Sequence, residues 1–192
     1  MKKILIFISL LSLFGCNNGK IKSNEEIYGI DKENAHKRAI ELVPEKFFWN
    51  GIDELAPFGS DEGDTALSEY RNWRKKFPKK PTIECIKWTI ESVGEIKFEE
   101  YNKGITTKER IKFQIQVEEF NDHQYIYTLD ISVIATGFGQ LVDEGKIDLE
   151  NKAIIRLALE RQKKWAELST DWKHRKEYIS NLKILERILD DA

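Results

Sequence analysis

The apolar residues of the C-terminal third recur at the spacing of an α-helix, and this period restricts the possible folds more than any other feature. One set, of five apolar residues and an arginine, lies on one face of a predicted helix capped by Asp148: Ile154, Leu157, Ala158, Arg161, Trp165 and Leu168. A second set lies on one face of a predicted C-terminal helix: Ile179, Leu182, Leu185 and Leu189. Residues three and four positions apart share a helix face, so each segment has an apolar stripe that must be buried. A core of packed helices is therefore expected.

The helical period also occurs nearer the N-terminus. Further helices are predicted over residues 33–42, over residues 65–77 with Asp64 as the N-cap, and after Thr82. The last of these is expected to end at Gly94, since glycine readily adopts the left-handed backbone found where helices end.

Between these helices the period changes to two. Apolar residues alternate before and after a predicted turn at residues 121–123: Ile111, Phe113, Ile115 and Val117, then Tyr125, Tyr127 and Leu129. Alternation is typical of half-buried strands, so the pattern favours an antiparallel hairpin followed by a helix capped by Asp130. The alternative is one long helix through Ile126 and Val133. The predicted fold class is α+β, a predominantly helical single domain with a small antiparallel β-hairpin or sheet.

Composition excludes several classes of protein. The 192 residues include 31 Lys and Arg and 33 Asp and Glu, so the chain has no excess of basic residues. A dedicated nucleic-acid binder has such an excess, and this class is therefore excluded. Five Trp, six Tyr and ten Phe are too many for an intrinsically disordered chain. Two cysteines, Cys16 and Cys85, are too few for a disulfide-dense scaffold. Cys85 lies in an apolar helical stretch and is expected to be a buried structural thiol.

The first sixteen residues are typical of an export signal. Two lysines precede an apolar run of about ten residues, which as a helix is about 15 Å long, half of the ~30 Å hydrocarbon core of a membrane. The sequence Leu13-Phe14-Gly15-Cys16 then resembles the lipobox of bacterial lipoproteins. That resemblance implies cleavage before Cys16 and a lipid on its thiol.

The lipobox divides the chain into three predicted parts. Residues 1–15 are the signal peptide, residues 16–26 a flexible tether and residues 27–192 a single globular domain. Cleavage of the signal peptide removes two of the 31 basic residues. The mature chain then has 29 basic and 33 acidic residues and a net charge of −4. Asn17 is not the aspartate that commonly retains lipoproteins at the inner membrane, which favours the outer membrane, facing the periplasm.

An aperiodic stretch before the second predicted helix is the candidate binding loop. It combines aromatic residues, glycine and carboxylates: Trp49, Asp53, Glu54, Phe58, Gly59, Asp61 and Asp64. Carboxylates on a glycine-bent loop can converge on one cation or form an acid–base pair, although the spacing is not that of an EF-hand. The alternative is that Asp61 and Asp64 cap the following helix. A further alternative is that Arg71 and Arg74 pair with these acids and rigidify the loop.

Motifs for common chemistries are missing from the sequence. The three histidines, His36, His123 and His174, lack the spacing of metal ligands, and no Walker, dinucleotide or serine-elbow motif occurs. Gly137 and Gly139 lie in a helical pattern, where glycines more often permit close helix packing than bind phosphate. No cofactor is expected, and a binding module is favoured over an enzyme.

Two blocks of the chain resemble a small bacterial family, the YfeS-like proteins. The first, residues 49–74, contains the motif APFGSDEGD and ends at Arg74; the second, residues 134–162, begins with IATGFGQL. The resemblance implies a shared fold and no particular chemistry. The two blocks are also expected to pack on each other, with Gln140 and Arg161 hydrogen-bonded to the acidic loop.

These features together predict a membrane-anchored envelope lipoprotein that acts as a non-catalytic binding module, in its most specific version an immunity protein. The lipid on Cys16 would attach it to the membrane, and a toxin or another envelope protein would be its partner. The alternative is an envelope hydrolase or metal-dependent enzyme that uses Asp61 and Asp64. The predicted binding residues are Trp49, Asp53, Glu54, Phe58, Gly59, Asp61, Asp64, Arg74 and Gln140.

Overall fold

The computed structural model describes residues 29–116 and 124–192, and in this part of the chain the fold is all-α. Its α-helices are α1 Lys37–Leu42, α2 Asp61–Lys76, α3 Ile83–Gly94, α4 Lys108–Gln116, α5 Gln124–Glu144, α6 Leu149–Leu168 and α7 Arg175–Asp191. Short 3-10 turns lie at Lys32–Asn34, Phe47–Trp49, Phe98–Glu100 and Lys103–Thr106. Within the described ranges, every helix is too short or too polar to span a bilayer. The predictions for Cys16, the signal peptide and the tether concern residues outside these ranges.

Helix α5 forms the centre of the core. All residues from 129 to 142 are buried, and α2, α3 and α6 pack directly against this helix. Gly137 lets α6 approach closely, because a Cβ at this position would lie 2.2 Å from Cδ1 of Ile155. The prediction that this glycine serves helix packing is confirmed.

The predicted β-hairpin is wrong for the described residues. Residues 108–116 and 124–130 are helical, no strand occurs in the ranges that the structure describes, and the turn predicted at residues 121–123 lies outside them. The fold class is therefore all-α and not α+β. Asp130, predicted as a helix cap, lies in the interior of α5, so the long-helix alternative is confirmed.

The alternating pattern has a helical explanation. In α4, Ile111 and Gln114 are buried whereas Phe113 is 51% exposed, so burial follows a spacing of three residues. In α5, Tyr125 and Tyr127 lie on two sides of the helix. Tyr125 donates to the backbone oxygen of Gly94 at the end of α3, and Tyr127 to that of Glu54 in the loop before α2, at 2.9 Å in each case. A helix contacted on several sides carries apolar residues all round, so its sequence lacks a one-sided stripe.

Helix α2 begins at Asp61, earlier than the predicted residue 65. Ser60 is its N-cap, since Oγ accepts a hydrogen bond from the backbone nitrogen of Gly63 at 3.2 Å. Asp61 and Asp64 both lie in the first turn, where the positive end of the helix dipole stabilises carboxylates. The prediction that Asp64 is the N-cap is therefore wrong.

The other predicted helix boundaries agree in part with the structure. Helix α3 follows Thr82 and ends at Gly94 as predicted, but the residue in the left-handed conformation is Glu95, with φ 52°, and not the glycine. The Thr82 side chain does not cap the helix and accepts a hydrogen bond from Arg74 instead. Helix α6 follows Asp148, again without a cap from that side chain. The helix predicted over residues 33–42 is divided into a 3-10 turn and the shorter α1.

Candidate functional site

The loop before α2 forms one side of a cleft of about 810 Å³, a size that suits a small organic ligand. The opposite side comes from the start of α5, the end of α6 and the segment that leads into α7. The lining residues are Ile52, Asp53, Glu54, Leu55, Gly59, Ser60, Asp61, Glu62, Tyr127, Trp165, Trp172, His174 and Glu177.

The acidic loop is folded tightly on its own backbone. Asp53 Oδ1 accepts a hydrogen bond from the backbone nitrogen of Leu55 at 3.0 Å, and Asp53 O accepts one from Ala56 at 2.8 Å. A Cβ at Gly59 would lie 2.0 Å from Asp53 O, so this approach requires glycine. The resulting turn leaves Glu54 exposed at the edge of the cleft.

Three rings, Tyr127, Trp165 and Trp172, form an aromatic wall opposite the acidic loop. The centroid of Trp165 lies 5.4 Å from that of Trp172 and 6.1 Å from that of Tyr127. Tyr178, which is buried, supports the wall from α7, with its ring 5.2 Å from Trp172 and 6.3 Å from Trp165. Tilted pairs at these separations are favourable, so the wall is a packed unit. The Tyr127 hydroxyl donates to Glu54 O at 2.9 Å and joins the wall to the acidic loop.

Carboxylates dominate the charge of the cleft. Asp53, Glu54, Asp61, Glu62 and Glu177 line it, and no lysine or arginine is among its described lining residues. The cleft is also lined by His174, whose Nδ1 lies 4.0 Å from Oε2 of Glu177.

The electrostatics of the cleft also act on Tyr127. Burial and the nearby carboxylates, Glu62 first among them, raise the pKa of the Tyr127 phenol, while a hydrogen bond with Ser60 opposes this shift. Tyr127 is therefore a neutral hydroxyl, and the cleft is a region of negative potential that favours a cation.

The structure brings four of the nine predicted binding residues to the cleft: Asp53, Glu54, Gly59 and Asp61. Trp49 and Phe58 instead pack on Phe48, with centroid distances of 5.0 and 5.4 Å. The Trp49 indole donates to the backbone oxygen of Val43 at 2.9 Å, so this side chain serves packing. Asp64 is exposed on α2 and is not among the lining residues.

Arg74 and Gln140 belong to a separate polar network between α2, α5 and the start of α6. Arg74 Nε lies 2.7 Å from Oε1 of Glu144. The Gln140 side chain donates to Asp148 Oδ2 at 2.9 Å and accepts from the backbone nitrogen of Asp148 at 3.0 Å. The predicted hydrogen bond from Gln140 to the acidic loop is therefore wrong.

Arg161 also differs from its prediction. Its guanidinium is buried and pairs with Asp130 inside the core instead of with the acidic loop. Sequence reasoning missed the aromatic wall, because Trp165 occupies a core position of α6 and Tyr127 lay in the predicted hairpin. Trp172 carried the one available signal, a large aromatic residue in a short segment between two helices.

The described side chains do not form a metal centre. No group of three or more His, Cys, Asp or Glu residues in residues 29–116 and 124–192 is arranged to hold a metal ion.

Comparison with known proteins gives one informative similarity. No family model matches the chain, and no solved structure matches it. The chain is 30% identical over 116 residues to the "Uncharacterized protein YfeS" of Escherichia coli (strain K12), and the match covers 60% of this chain. The chain spans 45% of the length of that curated relative. This similarity supports the resemblance to the YfeS-like family and, since the relative's name states no activity, it adds no chemistry.

Proposed function

We propose that this protein is a binding module of the bacterial envelope, anchored through a lipid on Cys16, whose cleft takes a positively charged organic ligand. The observation that carries the binding role is the lining of the cleft. Five carboxylates and three aromatic rings line it, and its described lining residues include no lysine or arginine.

The exposed carboxylates of the cleft are available to a ligand. Glu54 and Asp61 are exposed and have no ion-pair partner within the described residues. A bound cation would neutralise them, and a cation over an aromatic ring adds about 0.5–2 kcal/mol of attraction. The cleft thus offers both charge and apolar contact to the same ligand.

The arrangement favours binding over hydrolysis. The enzyme hypothesis uses Asp61 and Asp64, with Glu54 as an optional third carboxylate. Asp61 and Glu54 line the cleft but Asp64 does not, so the Asp61–Asp64 pair is not assembled there. The immunity role stays a prediction, since it requires a toxin partner.

The anchor is proposed from the lysines, the apolar run and the lipobox at residues 1–16. Two or three acyl chains, at ~0.8 kcal/mol per buried methylene, hold a protein firmly at a membrane. Metabolic labelling with a palmitate analogue should mark the chain, and Cys16→Ser should abolish the label. Cys85→Ser is the matched control and should keep it; labelling that survives Cys16→Ser would refute the anchor.

The binding role is tested by calorimetric titration of the full chain, in non-ionic detergent, with three cations of different shape: spermidine, tri-lysine and choline. At least one should bind, and the double variant Glu54→Gln/Asp61→Asn should weaken that binding at least tenfold, or about 1.4 kcal/mol. The control is Glu99→Gln/Glu150→Gln, which removes two exposed carboxylates outside the cleft. No binding of any of the three cations, or equal weakening by the control, would overturn the proposal.

A further inference from the structure

We infer that the cleft binds a linear aliphatic polyamine, a chain with two or more ammonium groups separated by methylene segments. This inference rests on the proposed function and names the chemical class of its ligand. Three properties of the cleft carry it: the excess of hydrogen-bond acceptors, the number of exposed carboxylates and the aromatic wall.

The side chains of the cleft offer many more acceptors than donors. The Tyr127 hydroxyl already donates to Glu54 O at 2.9 Å, and the Ser60 hydroxyl is hydrogen-bonded to Tyr127. The further side-chain donors are His174 and the indoles of Trp165 and Trp172, against five carboxylates. Peptides and sugars carry carbonyl or hydroxyl oxygens that need donors, whereas ammonium groups only donate. The lining therefore matches a ligand whose polar atoms are all donors.

The number of free carboxylates matches several positive charges. Asp53 accepts from the backbone of Leu55, and Glu62 accepts from Thr128 Oγ1 at 3.4 Å, so both have partners within the protein. The exposed carboxylates that remain are Glu54 and Asp61 on the loop side. Glu177 on the α7 side is also exposed, and its Oε2 lies 4.0 Å from Nδ1 of His174. A single ammonium would leave charges of like sign uncompensated, whereas spaced ammonium groups reach both sides of the cleft.

The aromatic wall accounts for the methylene segments. Trp172 and Tyr127 are half-buried and present ring surface to the cleft, and Ile52 at its rim is 89% exposed. Apolar stems of charged chains pack on such surfaces while their ammonium groups stay near carboxylates. An aliphatic polyamine combines these two requirements in one flexible chain.

The titrations of the full chain with spermidine, tri-lysine and choline test this inference by the order of the three affinities. Spermidine should bind at least tenfold more tightly than either of the others, a difference of about 1.4 kcal/mol. Tri-lysine has comparable charge but carries peptide carbonyls, and choline has a single charge. Suppose that tri-lysine or choline binds as tightly as spermidine and that Glu54→Gln/Asp61→Asn weakens this binding. That result would overturn the inference of a polyamine ligand and leave the proposed function standing. Absence of binding by all three would overturn both.

A second variant tests whether the ligand reaches across the cleft. Glu177→Gln should weaken spermidine binding about tenfold and choline binding less than threefold, because a monocation needs one side only. Equal effects of Glu177→Gln on the two ligands would contradict a polyamine that spans the cleft. Circular dichroism of each variant shows whether the helical fold is retained, and Glu150→Gln serves as the single-charge control.

Discussion

Arg161 and Asp130 form a bidentate ion pair in the interior of the protein, joining α6 to α5. Arg161 Nε lies 2.8 Å from Asp130 Oδ2, and Nη2 lies 2.6 Å from Oδ1. The Arg161 side chain is 1% exposed and that of Asp130 is fully buried. Tyr101 and Gln162 donate two further hydrogen bonds to the carboxylate, at 2.5 and 3.2 Å. Four donors thus replace the water that this carboxylate loses on folding.

Removal of one partner of this pair should be strongly destabilising. Asp130→Ala leaves the Arg161 guanidinium buried without its counter-charge, which should lower the free energy of unfolding by about 3–5 kcal/mol. Urea unfolding measures the loss. The double variant Asp130→Leu/Arg161→Met should recover much of it, because no buried charge remains. The control is Asp190→Ala, which breaks the exposed ion pair with Arg156 and should lower the free energy of unfolding by about 1 kcal/mol or less. A similar loss of stability in Asp130→Ala and Asp190→Ala would contradict the prediction.

The start of α2 depends on Ser60 and not on Asp64. Ser60→Ala should lower the free energy of unfolding by about 1 kcal/mol, because the backbone nitrogen of Gly63 loses its acceptor. Asp64→Ala should cost about 0.3–0.5 kcal/mol, through the helix dipole alone. Thermal unfolding followed by circular dichroism compares the two. A larger effect of Asp64→Ala would show that Asp64 has a capping role after all.

The backbone contact at Gly59 should tolerate no side chain. Gly59→Ala brings a Cβ within 2.0 Å of Asp53 O, so the loop backbone must shift, at a cost of about 2 kcal/mol or more. Gly51→Ala is the matched control in the same loop, since its Cβ would meet only the flexible Ile30 side chain at 3.3 Å. Urea unfolding should show that Gly51→Ala costs less than about 1 kcal/mol. Equal effects of the two substitutions would refute the close approach.

Cys85 should make stability fall as the solution becomes alkaline. Burial raises the pKa of the Cys85 thiol to about 12, whereas the thiol of an unfolded chain ionises near ~8.5. The folded state therefore holds a proton that the unfolded state loses, so this contribution to stability is present below pH ~8.5 and declines above it.

At pH 9.5 the free energy of unfolding should fall, relative to pH 7, by about 1.4 kcal/mol more than in the Cys85→Ala variant. Urea unfolding at the two pH values measures this difference. If the wild-type protein and the Cys85→Ala variant showed the same pH dependence of stability, that dependence would come from groups other than Cys85. Native Cys85 should also resist thiol reagents at pH 8 and react once the chain is unfolded.

Local signals in the sequence were enough to identify several helices. The period of α6 and α7, the glycine at the end of α3 and the polar segment between the last two helices are features of neighbouring residues. For α2 the helix was found but its start was not, because Ser60 and Asp64 are equally good caps by residue type. Which of them caps the helix depends on the path of the preceding loop.

The candidate site was predictable only on its loop side. Asp53, Glu54, Gly59 and Asp61 were recognised as an unusual cluster, and they do line the cleft. Trp172 lies more than a hundred positions further along the chain and reaches them through the packing of α6 and α7. No local pattern encodes that orientation.

By itself, the sequence determined that the chain has a helical core and an acidic, glycine-bent loop before α2, because helix period and loop composition are properties of adjacent residues. The tertiary structure decided that α5 is a helix, since burial on several sides removes the one-sided stripe from which helices are recognised. It also decided the partners of Arg161 and Gln140, both predicted to contact the acidic loop. Buried polar groups must be satisfied by whichever partner packing brings within hydrogen-bond distance, and for Arg161 that partner, Asp130, lies 31 residues away in the sequence.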